Sequence, residues 1–141
     1  MDELERTFRE AALSCGRFAL SNFLSEMAEQ QPICHICGSK MRNIDKREKQ
    51  IVTLLGSCKY SRSYYGCYCG AHAIPKDESL GVFCTKFTQA VKRVTAQIAA
   101  SDSFKDTSAN LKHLCGIEMS AKEAHYLRNW SRNHRPKGSR N

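Results

Sequence analysis

The sequence predicts a small α+β protein with a long N-terminal helix, a β-hairpin between two pairs of cysteines, and a C-terminal unit of three helices. Three observations lead to this prediction. Apolar residues recur at steps of three and four before residue 30, which is typical of a helix. The stretch between the cysteine pairs has β-type sequence with a central glycine turn. Capping sequences then divide the last third of the chain into short helices.

The first element is predicted as one amphipathic helix over residues 3–29, in an N-terminal segment of residues 1–31 that ends at Pro32. Its apolar stripe must be buried, either against the rest of the chain or against a second copy in a homo-oligomer. The stripe consists of Leu4, Phe8, Ala11, Ala12, Cys15, Phe18, Ala19, Phe23 and Met27.

The second element is predicted as a hairpin whose strands run over 51–55 and 58–65. Gly56 and Ser57 supply the turn between them. Cys58, Tyr60 and Tyr64 alternate with polar residues on the second strand. Because Cys67 follows this strand directly, the hairpin should bring the second cysteine pair to the first.

The two cysteine pairs predict a metal site. Cys34 and Cys37 form one pair and Cys67 and Cys69 the other, each followed directly by a glycine that can adopt the positive φ of a ligand loop. Four thiolates suit a structural, tetrahedral Zn²⁺ ion, so residues 32–74 are predicted as a zinc ribbon. The second pair is one residue short of Cys-x-x-Cys, which leaves open a site in which His72 replaces Cys67.

Cysteine usage and hydropathy indicate the compartment. The acidic N-terminus has no apolar signal region, and no apolar run is long enough to span a membrane, so we expect a reducing, cytoplasmic location near the nucleoid. Thiol exchange by Cys34-His-Ile-Cys37 would need a βαβ context, which the pattern lacks. The other four cysteines, Cys15, Cys58, Cys84 and Cys115, are predicted to be packed as small hydrophobic residues.

The remainder of the chain is predicted to be helical. Proline and acidic residues indicate a linker over 75–82, and apolar periodicity indicates helices over 83–134. Ser103 and Ser120 begin capping boxes, and Gly116 ends the helix between them. Three short helices with a glycine-led turn before the last predict a helix-turn-helix-like unit, followed by a basic tail at 135–141.

The charge distribution points to a polyanion partner. The formal net charge is +8, and the positive excess begins where the two cysteine pairs begin. We expect double-stranded DNA to be the partner, with no membrane and no small-molecule substrate. The hairpin would contact the DNA backbone and the last helix would enter the major groove. The candidate contacts are Lys40, Arg42, Lys46, Arg47, Lys49, Arg62, Lys122, His125, Arg128, Asn129, Arg132, Arg135 and Lys137.

An ordered set of motifs over roughly residues 34–127 resembles a known family. It comprises the first cysteine pair with its continuation to Arg42, Thr53-Leu-Leu-Gly56, Tyr60-Ser-Arg-Ser-Tyr-Tyr65, Cys69-Gly70, Pro75-Lys-Asp-Glu-Ser-Leu-Gly81, and Ser103-Phe104 with Leu111, Leu114, Gly116 and Ser120. The set resembles the N-terminal region of Kra-type insertion-sequence transposases, which are enzymes of the DDE class. The resemblance implies a zinc-ribbon and helix-turn-helix region that binds the ends of a mobile element, ahead of a catalytic domain.

The resemblance does not extend to catalysis. Family catalysis requires three carboxylates on an RNase H-like domain, and the acidic residues here form no plausible triad. We therefore expect no enzymatic activity from this chain. Two other functions stay open, a zinc-ribbon adaptor for protein partners and an RNA-binding protein. The second would use the hairpin tyrosines Tyr60, Tyr64, Tyr65 and Tyr68.

Overall fold

The computed structural model describes residues 1–133, and the side chains of 131–133 are outside that description. The α+β class is confirmed, with a long first helix, an antiparallel sheet and C-terminal helices. The chain forms two compact units, the first spanning Met1–Thr88 and the second beginning at Gln89. Among the described residues, no helix is both long enough and apolar enough to cross a membrane.

Helix α1 spans Asp2–Glu26, and acidic residues in its first turn complement the positive end of the helix dipole. It packs on the hairpin through Leu24, which is buried, and Leu20, which is half-buried. The stripe predicted to pack is mostly on the opposite side of the helix and is exposed, as are all residues from 1 to 12. The stripe is therefore not buried against the rest of the described chain, because the helix carries two apolar stripes and the hairpin contacts the other one, and the alternative of a second copy stays open.

Strands β1 (Arg42–Thr53) and β2 (Gly56–Gly66) form the predicted antiparallel hairpin, with Ile51 opposite Cys58 and Thr53 opposite Gly56. The turn is formed by Leu54 and Leu55 and not by Gly56 and Ser57 as predicted, and Gly56 follows it at φ 111° as the first residue of β2. The first strand starts nine residues earlier than predicted, because its charged first half pairs with β2 although both of its faces are solvated. Strand β3 (His72–Ala73) pairs with the last two residues of β2.

Before the two residues that pair with β3, the outer edge of β2 is covered by the end of α1 and the residues that follow it. The N–H of Ser61 donates to Ser25 Oγ (3.3 Å) and the N–H of Ser63 donates to the Glu29 carboxylate (3.1 Å). Lys76 Nζ donates to the carbonyls of Ser61 (2.9 Å) and Leu24 (3.0 Å). These bonds satisfy backbone groups at a strand edge and at a helix C-terminus together.

The segment predicted as a linker, 75–82, is instead packed. Helix α2 spans Pro75–Ser79 with proline at its first position, and Lys76 and Asp77 are buried. Val82 joins the core of the first unit. The sequence prediction failed here because proline and acidic residues also begin helices. That core contains Leu24, Ile51, Cys58, Tyr60 and Val82, with Leu20 and Leu80 packed against it.

Residues 83–88 are not helical, contrary to the predicted stripe. Phe83 is exposed, whereas Phe87 is buried beside Val52, whose N–H donates to Lys86 O (2.7 Å). Of the cysteines predicted to be packed, Cys58 is buried and Cys115 is partly buried, but Cys15 and Cys84 are exposed. Apolar periodicity alone placed both exposed thiols on buried faces.

The described part of the second unit contains the helices α3 (Gln89–Ser101), α4 (Phe104–Cys115) and α5 (Ala121–Asn133). The predicted caps are confirmed. Ser103 Oγ accepts from Asp106 N (3.2 Å), Gly116 is left-handed at φ 65°, and Ser120 and Glu123 bond reciprocally. Its buried residues include Val91, Thr95, Ala99, Thr107, Leu111, Ile117, Met119, Ala124 and Leu127.

Candidate metal centre

The first ligand loop is a tight turn between Ile33 and Lys40. The N–H of Cys34 donates to Ser39 O (2.9 Å) and the N–H of Gly38 donates to Cys34 O (2.9 Å). Gly38 has φ 70°, as predicted for the residue after the second cysteine. The loop therefore turns both thiols of the pair towards one point.

The second ligand loop repeats this geometry despite its shorter spacing. The N–H of Cys67 donates to Ala71 O (2.9 Å) and the N–H of Gly70 donates to Cys67 O (3.0 Å). Gly70 has φ 87°. Cys67 and Cys69 both reach the site, so the loop accommodates the loss of one residue between them.

The four cysteine sulfurs converge. Those of Cys34, Cys37, Cys67 and Cys69 all lie within 4.8 Å of one another. Cys34 and Cys69 are 3.5 Å apart and Cys37 and Cys67 are 3.3 Å apart, too far for disulfides. Sulfurs at the corners of a tetrahedron around zinc would be about 3.8 Å apart, from a Zn–S bond of about 2.3 Å. The four thiols thus form a group that could hold a metal ion.

His72 is not a member of this group. It lies on β3, where its ring stacks on Tyr64 with ring centroids 5.1 Å apart. The four-sulfur group is complete without it, so the geometry favours Cys67 over His72 as the fourth ligand.

The thiols differ in proton affinity. The backbone amides of Cys37 and Ile36 lower the pKa of Cys34, and the backbone amide and hydroxyl of Ser39 lower the pKa of Cys37 to about 6. The amide of Cys69 also favours the Cys67 thiolate, but the bond to the Cys37 sulfur and burial together raise the pKa of Cys67 to about 12. Sulfurs this close cannot all be anionic without a cation between them.

A small core supports the site. Cys34, Met41 and Tyr65 are buried together, with Ala71 and Ala73 packed against them. Gln31 Nε2 donates to Met41 O (2.8 Å) and fixes the entry to β1. Three buried residues are few for an independent core, so cross-linking by a metal would add much of the local stability.

The predicted DNA contacts on the hairpin divide into two groups. Lys40, Arg42, Lys46 and Arg47 are exposed. Arg42 lies over the ring of Tyr68 (4.5 Å) and Arg47 over the ring of Tyr64 (4.2 Å), so both guanidinium groups are held at the surface.

Lys49 and Arg62 belong to the second group, and their prediction as DNA contacts is corrected. Both bond to the buried carboxylate of Asp77, Lys49 at 2.8 Å, and Tyr60 OH donates to the same carboxylate at 2.6 Å. Lys49 also donates to Val82 O. Burial and the charge of Arg62 lower the pKa of Lys49, and burial raises the pKa of Tyr60. These cations neutralise an internal carboxylate.

Helix α5 has one buried and one exposed face. Ala124 and Leu127 are buried, and Trp130 is partly buried with Lys92 Nζ 4.1 Å from its ring centroid. On the other side Lys122, His125 and Asn129 are exposed.

One predicted contact on α5 differs from the others. Arg128 is partly buried, with its guanidinium 5.1 Å from the ring of Phe104. The side chain of Arg132, together with Arg135 and Lys137 of the predicted tail, lies outside the described part of the chain.

Sequence reasoning missed the buried ionic groups of the first unit. Lys76 pairs with Glu29 (3.1 Å), and Asp77 gathers Lys49, Arg62 and Tyr60. The sequence pattern contains no signal for these pairs, because charged residues are equally common in exposed linkers and in strands that face solvent.

Comparisons of the chain with protein-family models, with curated proteins and with solved structures found no match.

Proposed function

We propose that this chain is a zinc-dependent DNA-binding protein, serving as the element-end recognition region of a transposase or as a shortened transposase relative that acts as a repressor or accessory factor. The observation that carries the proposal is the outer face of α5. Lys122, His125 and Asn129 are exposed there, on a helix whose other face is buried.

The orientation of α5 is well defined for recognition. Its N-terminus is fixed by the reciprocal bonds of Ser120 and Glu123, and its inner face by the buried Ala124 and Leu127. The amide of Asn129 lies 3.3 Å from His125 Nε2. An asparagine amide can pair with both adenine groups in the major groove, while lysine binds phosphate.

The hairpin would add sequence-independent contacts. Four exposed cations lie at the end of the first ligand loop or on β1, namely Lys40, Arg42, Lys46 and Arg47. Each phosphate that they neutralise would release bound counterions. Zinc is the proposed metal because four thiolates without an open position are typical of structural zinc sites. In this proposal the chain binds DNA, and any transposition chemistry comes from another domain or another protein.

Titration of a labelled duplex at several salt concentrations tests the function. The duplex should carry the DNA that flanks the chain's own gene, and a scrambled duplex is the control. We expect the logarithm of affinity to fall linearly with the logarithm of salt concentration, and an inverted repeat or a promoter to be preferred. Equal affinity at low and physiological salt would overturn the proposal.

Two substitutions on α5 separate recognition from charge. Asn129→Ala should reduce the preference for the cognate duplex by about 1–3 kcal/mol with little change for the scrambled one. Lys122→Glu should weaken binding to both. Arg93→Glu makes the same charge change at an exposed position on α3, and an equal loss there would mean that net charge, rather than the face of α5, determines binding.

A protein adaptor is the second candidate, favoured by exposed isoleucines near the metal loops. Ile33, Ile36 and Ile44 are all more than half exposed. If Ile36→Glu abolished function while the DNA titration showed no binding, the adaptor function would replace the first proposal. RNA binding through all four tyrosines is less well supported, because Tyr60 and Tyr65 are buried in the two cores of the first unit.

A further inference from the structure

The face of α1 opposite the hairpin carries a regular apolar stripe. Leu4, Phe8, Ala11, Cys15 and Phe18 follow one another at separations of four, three, four and three residues. All five are exposed, with Phe8 at 69% and Phe18 at 71%. We call this stripe the α1 seam. Burial against the hairpin does not account for it, because α1 packs there through Leu20 and Leu24.

We propose that the α1 seam pairs with the α1 seam of a second copy of this chain, so that the protein is a dimer. The alternating spacing of four and three residues is the heptad pattern in which apolar residues of one helix fit between those of an identical helix. A seam of this kind is complementary to itself, which a two-fold dimer requires.

The residues beside the seam are compatible with a second copy. On one side they are Thr7, Ser14 and Ser21, which are uncharged. On the other side they are Glu5, Ala12 and Ala19. In a parallel pairing Thr7 and Ser14 lie opposite Ala12 and Ala19 of the second copy and no charged residue of these rows lies opposite Glu5, so like charges do not face each other and the small residues let the helices approach closely. The next position in the seam after Phe18, four residues further on, is Asn22, a polar residue of the kind that fixes the register of helix pairs.

The area is sufficient for a reversible dimer. An aromatic side chain buries roughly 150–250 Å², so the four seam phenylalanines of a dimer, each about 70% exposed in the single chain, account for roughly 500 Å². With Leu4 and the smaller residues the interface approaches about 1,000 Å², at the low end for specific complexes. The dimer should therefore dissociate on dilution.

Light scattering after size exclusion, over a concentration series and without DNA, tests this inference on the full chain. The wild type should change from monomer to dimer as concentration rises. Phe8→Glu with Phe18→Glu should be monomeric throughout, and Ala11→Asp alone should raise the dissociation constant at least tenfold. Circular dichroism and metal content verify that each variant is folded.

Phe23→Glu is the matched control. Phe23 lies on the same helix and is 64% exposed, but it is outside the seam. We expect it to dimerise as the wild type does. A wild type that is monomeric at every concentration, or a dimer that survives the seam substitutions, would overturn the inference. Either result leaves the DNA-binding proposal standing, because that is measured separately.

Discussion

The two ends of the hairpin are held together by different means. At the turn end, Leu24, Ile51 and Tyr60 are buried in one core, and Tyr60 also donates to the Asp77 carboxylate. At the metal end, the buried core is limited to Cys34, Met41 and Tyr65, and four thiols converge beside it. Where the chain supplies helices, apolar burial suffices. Where it supplies only two loops, metal binding would provide the stability that so small a core lacks.

Metal removal should give the largest difference between the ends. Chelation, or Cys34→Ser, should remove order from 33–41 and 67–73, because metal binding in small zinc domains contributes on the order of 10 kcal/mol. The turn end should remain folded. Amide hydrogen exchange resolved along the chain measures both ends in one experiment. Cys84→Ser, which changes an exposed thiol, should alter neither end. If protection from exchange were lost equally along the whole length of β1 and β2, the two ends would not be stabilised by different means.

Asp77→Asn should have the reverse effect. It leaves the partly buried Lys49 and Arg62 without their counter-charge, and loss of one partner of a buried pair costs about 3–5 kcal/mol. Denaturant unfolding measures this, and metal content should be unchanged. The control Asp45→Asn removes an exposed pair with Arg47 (3.3 Å) and should cost below about 1 kcal/mol. Loss of metal from the Asp77 variant would show that the two ends are not separable.

Lys76→Met tests the join between α1 and the sheet. The substitution keeps an unbranched side chain that is one atom shorter, but leaves the carbonyls of Leu24 and Ser61 without their shared donor, and Glu29 without its cation. We expect a loss of about 1–3 kcal/mol. Lys59→Met removes an exposed pair with Glu48 (3.1 Å) and should be nearly neutral. A cost no larger than this control would mean that apolar contacts alone hold α1.

The smallest expected effect concerns alkaline pH. Burial raises the pKa of Tyr60 above its usual 10.0, so its neutral form stabilises the fold below pH 10 and this contribution is lost as pH rises through the folded-state value. Tyr60→Phe should lack this part of the alkaline loss, although it should be less stable at neutral pH because Asp77 loses a donor. Urea unfolding at pH 8 and above pH 10 measures the difference, and parallel pH profiles for both proteins would contradict it.

Local features of the structure were accessible from the sequence. The glycines after Cys37 and Cys69 predicted left-handed turns, and Ser103 predicted a helix start, because each depends on residues within three or four positions. The convergence of the four cysteines followed from the hairpin that joins them.

Features that depend on distant residues were not accessible. Asp77 lies 28 residues from Lys49 and 15 from Arg62, and no local pattern distinguishes these cations from the exposed Lys46 and Arg47. Periodicity likewise could not decide which of the two apolar stripes of α1 would contact the hairpin. That choice depends on the shape of the sheet surface, where Gly16 allows α1 to approach Leu55 closely.

The covered edge of β2 determines where this chain can be cut. A ribbon excised at Pro32 would retain Ser61 and Ser63 but lose Ser25 and Glu29, which accept from their N–H groups. A bare strand edge is a template for pairing with other chains and hence for aggregation. The ribbon is therefore not a portable module, and a transplant into another protein should include the last turns of α1.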